Sequence, residues 1–168
     1  YAGLALTLVV NVGAMTVTFY SVLGYLAWLA DDTARAGWAA PAMDPALLAA
    51  VALILVELLV VTAVALFFST FSSPFLSAAL TLGVWIVGRF NDDLRHFEDV
   101  LESQAAAVLA RALYYVLPNF AAFDVKAQVV HAVPVDLAYV GLTAAYGVTY
   151  VALLLAAAVV VFERRDFR

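Results

Sequence analysis

The sequence predicts an all-α fold, a polytopic bundle of transmembrane helices forming a single domain over residues 1–168. Hydrophobic residues make up 67% of the chain and charged residues only 12%, whereas soluble proteins carry about 25% charged residues. Mean hydropathy is +1.03. Because about 20 apolar residues in a helix cross the hydrocarbon core of a bilayer, the long apolar runs are expected to be membrane spans. The predicted spans lie at about 2–29, 47–68, 75–90 and 137–162.

The first run is a transmembrane helix with a somewhat polar face. Several hydroxyl residues interrupt it, and such side chains can bond back to their own helix. Asn11 is its one strongly polar residue. Tyr25 and Trp28 fit the aromatic belt at a membrane surface, and Asp31 and Asp32 end the run. The next segment is a short exposed loop, which closes with an N-cap and first-turn pair at positions 44 and 45.

The second run contains one carboxylate near its middle, Glu57. An ionised group in the centre of a membrane helix costs about 2.5 to 3.5 kcal/mol on insertion scales, so Glu57 is expected to face protein or water and to be paired or protonated. It is either a structural carboxyl, with Asn11, Thr62 or Thr81 as possible partners, or a group that lines a translocation path or couples protonation to movement. Asn11 has the same two interpretations.

A polar turn joins the second run to the third, and it is made of residues that end and restart helices: Ser69, Thr70, Ser72, Ser73 and Pro74. Ser72 or Ser73 is expected to cap the following helix, and Pro74 suits its first position because the missing N–H would be unpaired there. The third run, 75–90, is short enough that it barely spans. The two serines should therefore lie at or just inside the headgroup region.

An amphipathic surface helix is predicted over about 92–117, because apolar residues recur there at steps of three and four with charges between them. Pro118 and Asn119 stop it, and 120–136 is expected to be irregular or a short helix. The last run is long enough to tilt. Arginines crowd its end at Arg164, Arg165 and Arg168, which favours a cytoplasmic C-terminus under the positive-inside rule.

The sequence lacks the motifs that several kinds of chemistry require. There is no phosphate-binding GxxxxGK[ST] loop, so any ATP would be hydrolysed by a partner. His96 and His131 lack the spacing and carboxylate neighbours of a metal site, and the serines of the turn have no base near them in sequence. A net charge of −5, thinly spread, gives no nucleic-acid patch. We therefore expect no catalytic residue, cofactor or metal, and from the start at Tyr1 we expect a fragment of a longer chain.

Three stretches, FFSTFSSPFLSAALTLGVWIVGRFNDDLR, YYVLPNFAAFDVKAQVVHAVPV and AYVGLTAAYGVTYVALLLAAAVVVFERRDFR, resemble permease subunits of ABC-2 type transporters, in the branch described as involved in multi-copper enzyme maturation. The resemblance implies a dimeric permease in the plasma membrane that a separate ATP-binding subunit drives. It makes the four runs the last four of six helices, places 31–45 and 91–136 outside, and puts Ser69 to Pro74 in a cytoplasmic turn near the ATPase. Nothing in this chain argues that it conducts copper.

Two other functions are compatible with parts of the pattern. A non-transporting membrane scaffold, which assembles or anchors partner proteins, also needs only helices and small-residue contacts. An ion-coupled secondary transporter would need inverted repeats and helices broken near the midplane, and the sequence has no pair of runs interrupted by glycine or proline. The permease is the function we expect, with an ABC ATP-binding subunit, a second permease copy and membrane lipids as its partners.

Overall fold

The computed structural model of the chain is a bundle of α-helices. The residues it describes are 1–37, 44–90, 111, 114–131, 133 and 135–166. The helices are α1 (Ala2–Leu29), α2 (Asp32–Arg35), α3 (Ala46–Ser69), α4 (Pro74–Arg89), α5 (Lys126–Val130) and α6 (Leu137–Asp166), with a 3₁₀ turn at Ala121–Phe123 before α5. These residues contain no β-strand, so the predicted all-α fold class is confirmed for them.

Three helices are long and apolar enough to cross a membrane: Ala2–Leu29, Ala46–Ser69 and Leu137–Glu163. The chain is therefore a membrane-embedded helical protein. The third predicted span corresponds to α4, which has only 16 residues. At 1.5 Å per residue it measures about 24 Å, whereas the hydrocarbon core is about 30 Å thick. A fourth crossing accordingly stays a prediction.

Helix α1 lies on the outside of the bundle and has no buried residue. It packs against α3, where the Tyr1 hydroxyl donates to the Leu59 carbonyl at 3.1 Å. At the other end, the Tyr20 hydroxyl donates to the Asp44 carbonyl at 2.7 Å. Apolar residues cover its remaining faces, which suits a helix surrounded by lipid or by another membrane helix.

The loop after α1 is partly helical. The Arg35 guanidinium donates two hydrogen bonds to the Ala27 carbonyl, at 2.7 and 3.0 Å, and so satisfies a carbonyl of the last turn of α1. Helix α3 begins at Ala46 with Pro45 at the N-cap, whereas the sequence predicts Asp44 at the N-cap and Pro45 as the first helical residue. The Asp44 carboxylate still accepts the Ala46 N–H, at 2.8 Å. Residues 38–43 lie outside the described part.

Helix α3 is the centre of the bundle and packs against α1, α4 and α6. Its inward face carries Leu53, Val60 and Ala63, each with no exposed surface. Gly147 allows α6 to approach it, because a Cβ there would lie 2.3 Å from a methyl carbon of Val56. Close contact between membrane helices depends on small residues of this kind.

Residues 118–130, here called the inserted segment, pack into the bundle interior. Phe120 and Phe123 have no exposed surface, and the Phe120 N–H donates to the Gly88 carbonyl at 2.9 Å. The segment thus packs against the last turn of the short α4. The sequence predicts irregular structure or a short helix here, in a region that the family resemblance places outside the membrane. The structure has the 3₁₀ turn and α5, and the buried phenylalanines pack part of this region between the helices.

The predicted amphipathic helix falls almost entirely outside the described residues. At its C-terminal end, Arg111 and residues 114–116 have helical backbone, as predicted there. Leu117 leaves the helix just before Pro118 and Asn119, in keeping with the predicted stop.

Candidate functional site

Glu57 lies near the middle of α3, with 7% of its surface exposed. Its neighbours one turn away on the same face, Leu53 and Val60, are fully buried. The carboxylate therefore points into the protein, as expected for a charge that lipid cannot solvate.

Two side chains of α4 contact the Glu57 carboxylate. Trp85 Nε1 donates a hydrogen bond to Oε1 at 3.1 Å, and Arg89 Nη1 lies 3.5 Å from the same oxygen. Trp85 and Arg89 are four residues apart, so they share one face of the helix. Helix α4 runs antiparallel to α3 after the polar turn, which brings its last turn to the level of Glu57.

The inserted segment supplies the other half of the charges. Arg89 Nη2 donates to Asp124 Oδ2, and Lys126 Nζ lies 3.9 Å from Asp124 Oδ1. Glu57, Arg89, Asp124 and Lys126 are called the ionic cluster below. Its charges alternate in sign along the chain of contacts and sum to zero, so the apolar surroundings hold no net charge.

Arg89 is the residue on which the ionic cluster depends. Its side chain is 26% exposed, and those of Glu57 and Asp124 are 10% and 33% exposed. In such surroundings the removal of one partner of an ion pair strongly destabilises the protein, because the remaining charge stays desolvated. Arg89 links α4 both to α3 and to the inserted segment. A shift between these elements would change the distances from its guanidinium to the two carboxylates.

The proposed partners of Glu57 were wrong. Asn11 is exposed on α1 and donates to the Thr7 carbonyl at 2.8 Å, so the structure does not bring it to Glu57. The Thr62 and Thr81 hydroxyls both donate at 2.7 Å to carbonyls four residues back in their own helices. Short hydroxyl side chains satisfy themselves locally in this way, whereas the long side chains of Arg89 and Trp85 reach across to α3.

The polar turn is built as its residue types predict. The hydroxyls of Ser69, Thr70 and Ser72 donate to carbonyls at the end of α3, at 2.7 to 2.8 Å. Ser73 caps α4, its Oγ accepting the Leu76 N–H at 3.4 Å, and Pro74 is the first helical residue. These serines hold the backbone of the turn.

Within the described ranges, no group of three or more His, Cys, Asp or Glu side chains is placed to hold a metal ion. His131 is exposed, and His96 belongs to the part that is not described.

The sequence interpretation missed a row of tyrosines on α6. The Tyr139 hydroxyl donates to the Ala122 carbonyl at 2.7 Å, Tyr146 accepts the Asn119 N–H at 3.0 Å, and the Tyr150 hydroxyl donates to the Val116 carbonyl. Their spacing of seven and four residues places them on one helix face. This spacing is the feature of the sequence from which the row could have been predicted. The tyrosines border an open cavity of about 540 Å³ and hold the backbone of Val116 and of the first part of the inserted segment.

A second concave region, the α3–α4 groove, has a volume of about 630 Å³. Its apolar walls include Leu58, Val61 and Leu82, and it extends toward the polar turn as far as Ala65 and Ala78. Glu57, Trp85 and Lys126 also line it. The groove therefore combines an apolar wall with the edge of the ionic cluster.

Comparison of the chain with models of protein families, with curated proteins and with solved structures finds no match in any of the three. The chain is thus characterised by its own geometry, that of a membrane-embedded helical bundle with ion pairs in its interior.

Proposed function

We propose that the chain is part of a permease subunit of an ABC-2 type transporter, in which it forms half of a substrate path across the plasma membrane. A separate ATP-binding subunit would supply the energy, since the sequence has no phosphate-binding loop. A second permease copy would form the other half of the path. The observation that best supports the proposal is the position of Arg89 between Glu57 and Asp124.

A transport subunit must move between two conformations without leaving a charge unpaired in lipid. Arg89 is shared between carboxylates on two different elements, α3 and the inserted segment. If α4 shifted, Arg89 could strengthen one pair as it weakened the other, so neither state would isolate its charge. ATP binding by the partner would then shift the population between the two states through its different affinity for each.

The orientation belongs to the same proposal. With α4 as a crossing, four spans place both ends of the chain on one side of the membrane. The arginines at the end of α6 favour the cytoplasm for that side. The polar turn from Ser69 to Pro74 would then also face the cytoplasm, where an ATP-binding subunit could contact it.

The test is to co-express the complete subunit with an ABC ATP-binding subunit and to measure ATP turnover of the pair in lipid vesicles. We expect the two to co-purify and turnover to rise severalfold over the ATP-binding protein alone. Glu57→Leu should reduce this stimulation more than Glu57→Gln, because glutamine can still accept the Trp85 hydrogen bond.

Arg35→Gln is the matched control, since Arg35 pairs with an aspartate at the surface and its loss should leave the stimulation unchanged. A complex that forms without any change in ATP turnover would favour the alternative function, a non-transporting scaffold. Full stimulation in Glu57→Leu with normal assembly would remove Glu57 from the mechanism.

A further inference from the structure

The row of tyrosines on α6 faces a cavity that has the size of a small-molecule site. This tyrosine cavity has a volume of about 540 Å³, and ligand sites in proteins measure about 300–1,000 Å³. Five tyrosine rings line it, those of Tyr114, Tyr115, Tyr139, Tyr146 and Tyr150. The described residues around it carry no charge. Because an ion is costly to bury without a partner of opposite charge, the cavity suits a neutral molecule.

Three of these rings are held in place by the backbone beside them. The hydroxyls of Tyr139, Tyr146 and Tyr150 all form hydrogen bonds with backbone groups of residues 116–122. The rings of Tyr146 and Tyr150 also contact each other, with their centroids 5.6 Å apart. Side chains that are already fixed lose little conformational entropy when a ligand binds. The tyrosine cavity is thus preorganised to receive a ring among aromatic side chains.

Thr143 brings an unpaired hydroxyl to the wall of the cavity, between Tyr139 and Tyr146 along α6. The residue is 7% exposed, and its hydroxyl has no hydrogen-bond partner among the residues that the structure describes. Thr149 of the same helix instead donates to the Ala145 carbonyl, four residues back, at 2.8 Å. A buried hydroxyl without a partner destabilises a protein. Thr143 therefore favours a ligand that accepts a hydrogen bond.

Tyr146 can donate to the same ligand atom. Its oxygen accepts the Asn119 N–H at 3.0 Å, while its own proton is donated to no group in the described part of the chain. Tyr146 follows Thr143 by three residues, so the two side chains lie on one face of α6, and both line the cavity. A carbonyl oxygen has two lone pairs and accepts two such bonds. A planar ring that carries a carbonyl group therefore matches both the aromatic walls and the two hydroxyls.

The rim of the tyrosine cavity is apolar and exposed at Leu142, which lines it with 73% of its surface accessible. Helix α6 is one of the helices that are long and apolar enough to cross a membrane. The cavity extends from Tyr139 to Tyr150, along the first half of this helix. A ligand dissolved in the bilayer could therefore enter from the side. Quinones combine these properties, since they are neutral rings with carbonyl groups and dissolve in lipid.

We propose that the tyrosine cavity binds a neutral, lipid-soluble molecule of the quinone class, with its ring among the tyrosines and one carbonyl oxygen on the hydroxyls of Thr143 and Tyr146. The ligand would stabilise the contact between α6 and the inserted segment, because the same tyrosines hold the backbone at residues 116–122. The site goes beyond the proposed transport function and does not depend on it, since residues of this chain alone form it.

Two probes with the same ring system test the proposal. The full-length protein is placed in lipid nanodiscs, and binding of menadione and of methylnaphthalene, which lacks the carbonyl groups, is measured by equilibrium dialysis. Empty nanodiscs give the partition of each probe into lipid. We expect saturable binding of about one menadione per chain, with an affinity about twentyfold higher than that of methylnaphthalene, the effect of two hydrogen bonds of ordinary strength.

Variants of α6 show which hydroxyls hold the carbonyl. Thr143→Val keeps the shape of the side chain without its hydroxyl, and it should weaken menadione binding about fivefold and leave methylnaphthalene binding unchanged. Thr143→Ser should retain the affinity. Tyr146→Phe removes the other donor and should weaken menadione binding similarly, which gives a second comparison independent of position 143. Thr149→Val is the matched control, because its exposed hydroxyl lies outside the cavity, and it should have no effect.

Several results would overturn the proposal. Equal affinities for the two probes, or full menadione affinity in both Thr143→Val and Tyr146→Phe, would show that these hydroxyls hold no carbonyl group. Weaker binding in Thr149→Val as well would indicate a general change in α6. Tighter binding of benzyltrimethylammonium than of menadione would make the cavity a site for organic cations. Absence of saturable binding of either probe would mean that the cavity takes no ligand of this class.

Discussion

Arg89, the last residue of α4, lies with its Nη1 atom 3.5 Å from Glu57 Oε1 in the middle of α3, and its Nη2 atom contacts Asp124. One guanidinium on α4 thus joins the neighbouring helix α3 to the inserted segment, which follows much later in the chain. The planar fork of an arginine can engage two carboxylates at once, which a lysine cannot do with the same geometry. The end of α4 and the middle of the inserted segment are consequently held by the same side chain.

Removing Arg89 should cost more stability than removing either acid. Arg89→Leu leaves Glu57 without a cation and Asp124 with Lys126 alone, and should lower the free energy of unfolding by about 3–5 kcal/mol. Glu57→Leu should cost less, because Arg89 keeps Asp124. The double variant Glu57→Leu, Arg89→Leu should regain at least about 1 kcal/mol over Arg89→Leu, since no charge then remains unpaired in α3. Unfolding in mixed micelles, followed by circular dichroism, gives these values.

Arg35→Leu is the control for that cycle, because Arg35 and Asp32 have side chains 45% and 99% exposed. Surface pairs of this kind contribute between 0 and about 1 kcal/mol, and the exposed hydrogen bonds from Arg35 to the Ala27 carbonyl should add about 1 kcal/mol to the loss. A strictly additive cycle between Glu57 and Arg89 would contradict the direct pairing that the structure contains.

The apolar helices could be predicted from the sequence because lipid is their solvent. The first span coincides with α1 at both ends, and the second and fourth agree with α3 and α6 within a few residues. Hydrophobicity over a long run is a local property, and no partner is needed to recognise it. Ser73 and Pro74 likewise signal the start of α4 through the capping requirements of their own helix.

Of the four residues of the ionic cluster, only Glu57 could be predicted from the sequence. Glu57 stands out because it interrupts an apolar run, whereas Arg89 ends one and therefore resembles an interfacial arginine. Asp124 and Lys126 lie in a mixed segment whose pattern has no helix or strand period. Only the approach of that segment to α4, through Gly88 and Phe120, brings the four charges together. Such contacts between distant parts of a chain leave no local signal.

Gly88 is needed for the inserted segment to contact α4. A Cβ at this position would lie 2.3 Å from the Pro118 carbonyl oxygen and 2.7 Å from the Phe120 ring. Because a backbone atom cannot move aside as a side chain can, Gly88→Ala should destabilise the protein by about 1–3 kcal/mol. It should also weaken the contact between Arg89 and Asp124. Thermal unfolding in detergent is the measurement.

Gly83 in the same helix is the matched control, since a Cβ there has nothing within 4 Å. Gly83→Ala should be neutral or stabilise by up to about 1 kcal/mol through the higher helix propensity of alanine. If Gly88→Ala proved as harmless as Gly83→Ala, the inserted segment would not lie against α4 as described.

Phe123 anchors the inserted segment in the core. It has no exposed surface, and its ring faces that of Tyr146 with the centroids 6.1 Å apart. Phe123→Ala should lower the free energy of unfolding by about 3–5 kcal/mol, the cost of a large cavity in a packed interior. Phe75, 85% exposed, is the control, and Phe75→Ala should change stability by less than about 0.5 kcal/mol. Protease sensitivity near residues 118–130 should rise in Phe123→Ala alone.

Ser77 makes the polar contact between α3 and α4 near the polar turn. Its hydroxyl, on a residue 6% exposed, donates to the Ala65 carbonyl of the neighbouring helix at 3.0 Å. Hydrogen bonds between membrane helices contribute about 0.6 kcal/mol on average and up to about 1.7, so Ser77→Ala should cost an amount in this range. Ser77→Leu should cost more, because its volume would separate the helices. Ser69→Ala, which removes a hydroxyl that bonds only within the end of α3, should have little effect on unfolding. Equal losses for the alanine variants at positions 77 and 69 would show that the contact between α3 and α4 does not depend on the Ser77 hydrogen bond.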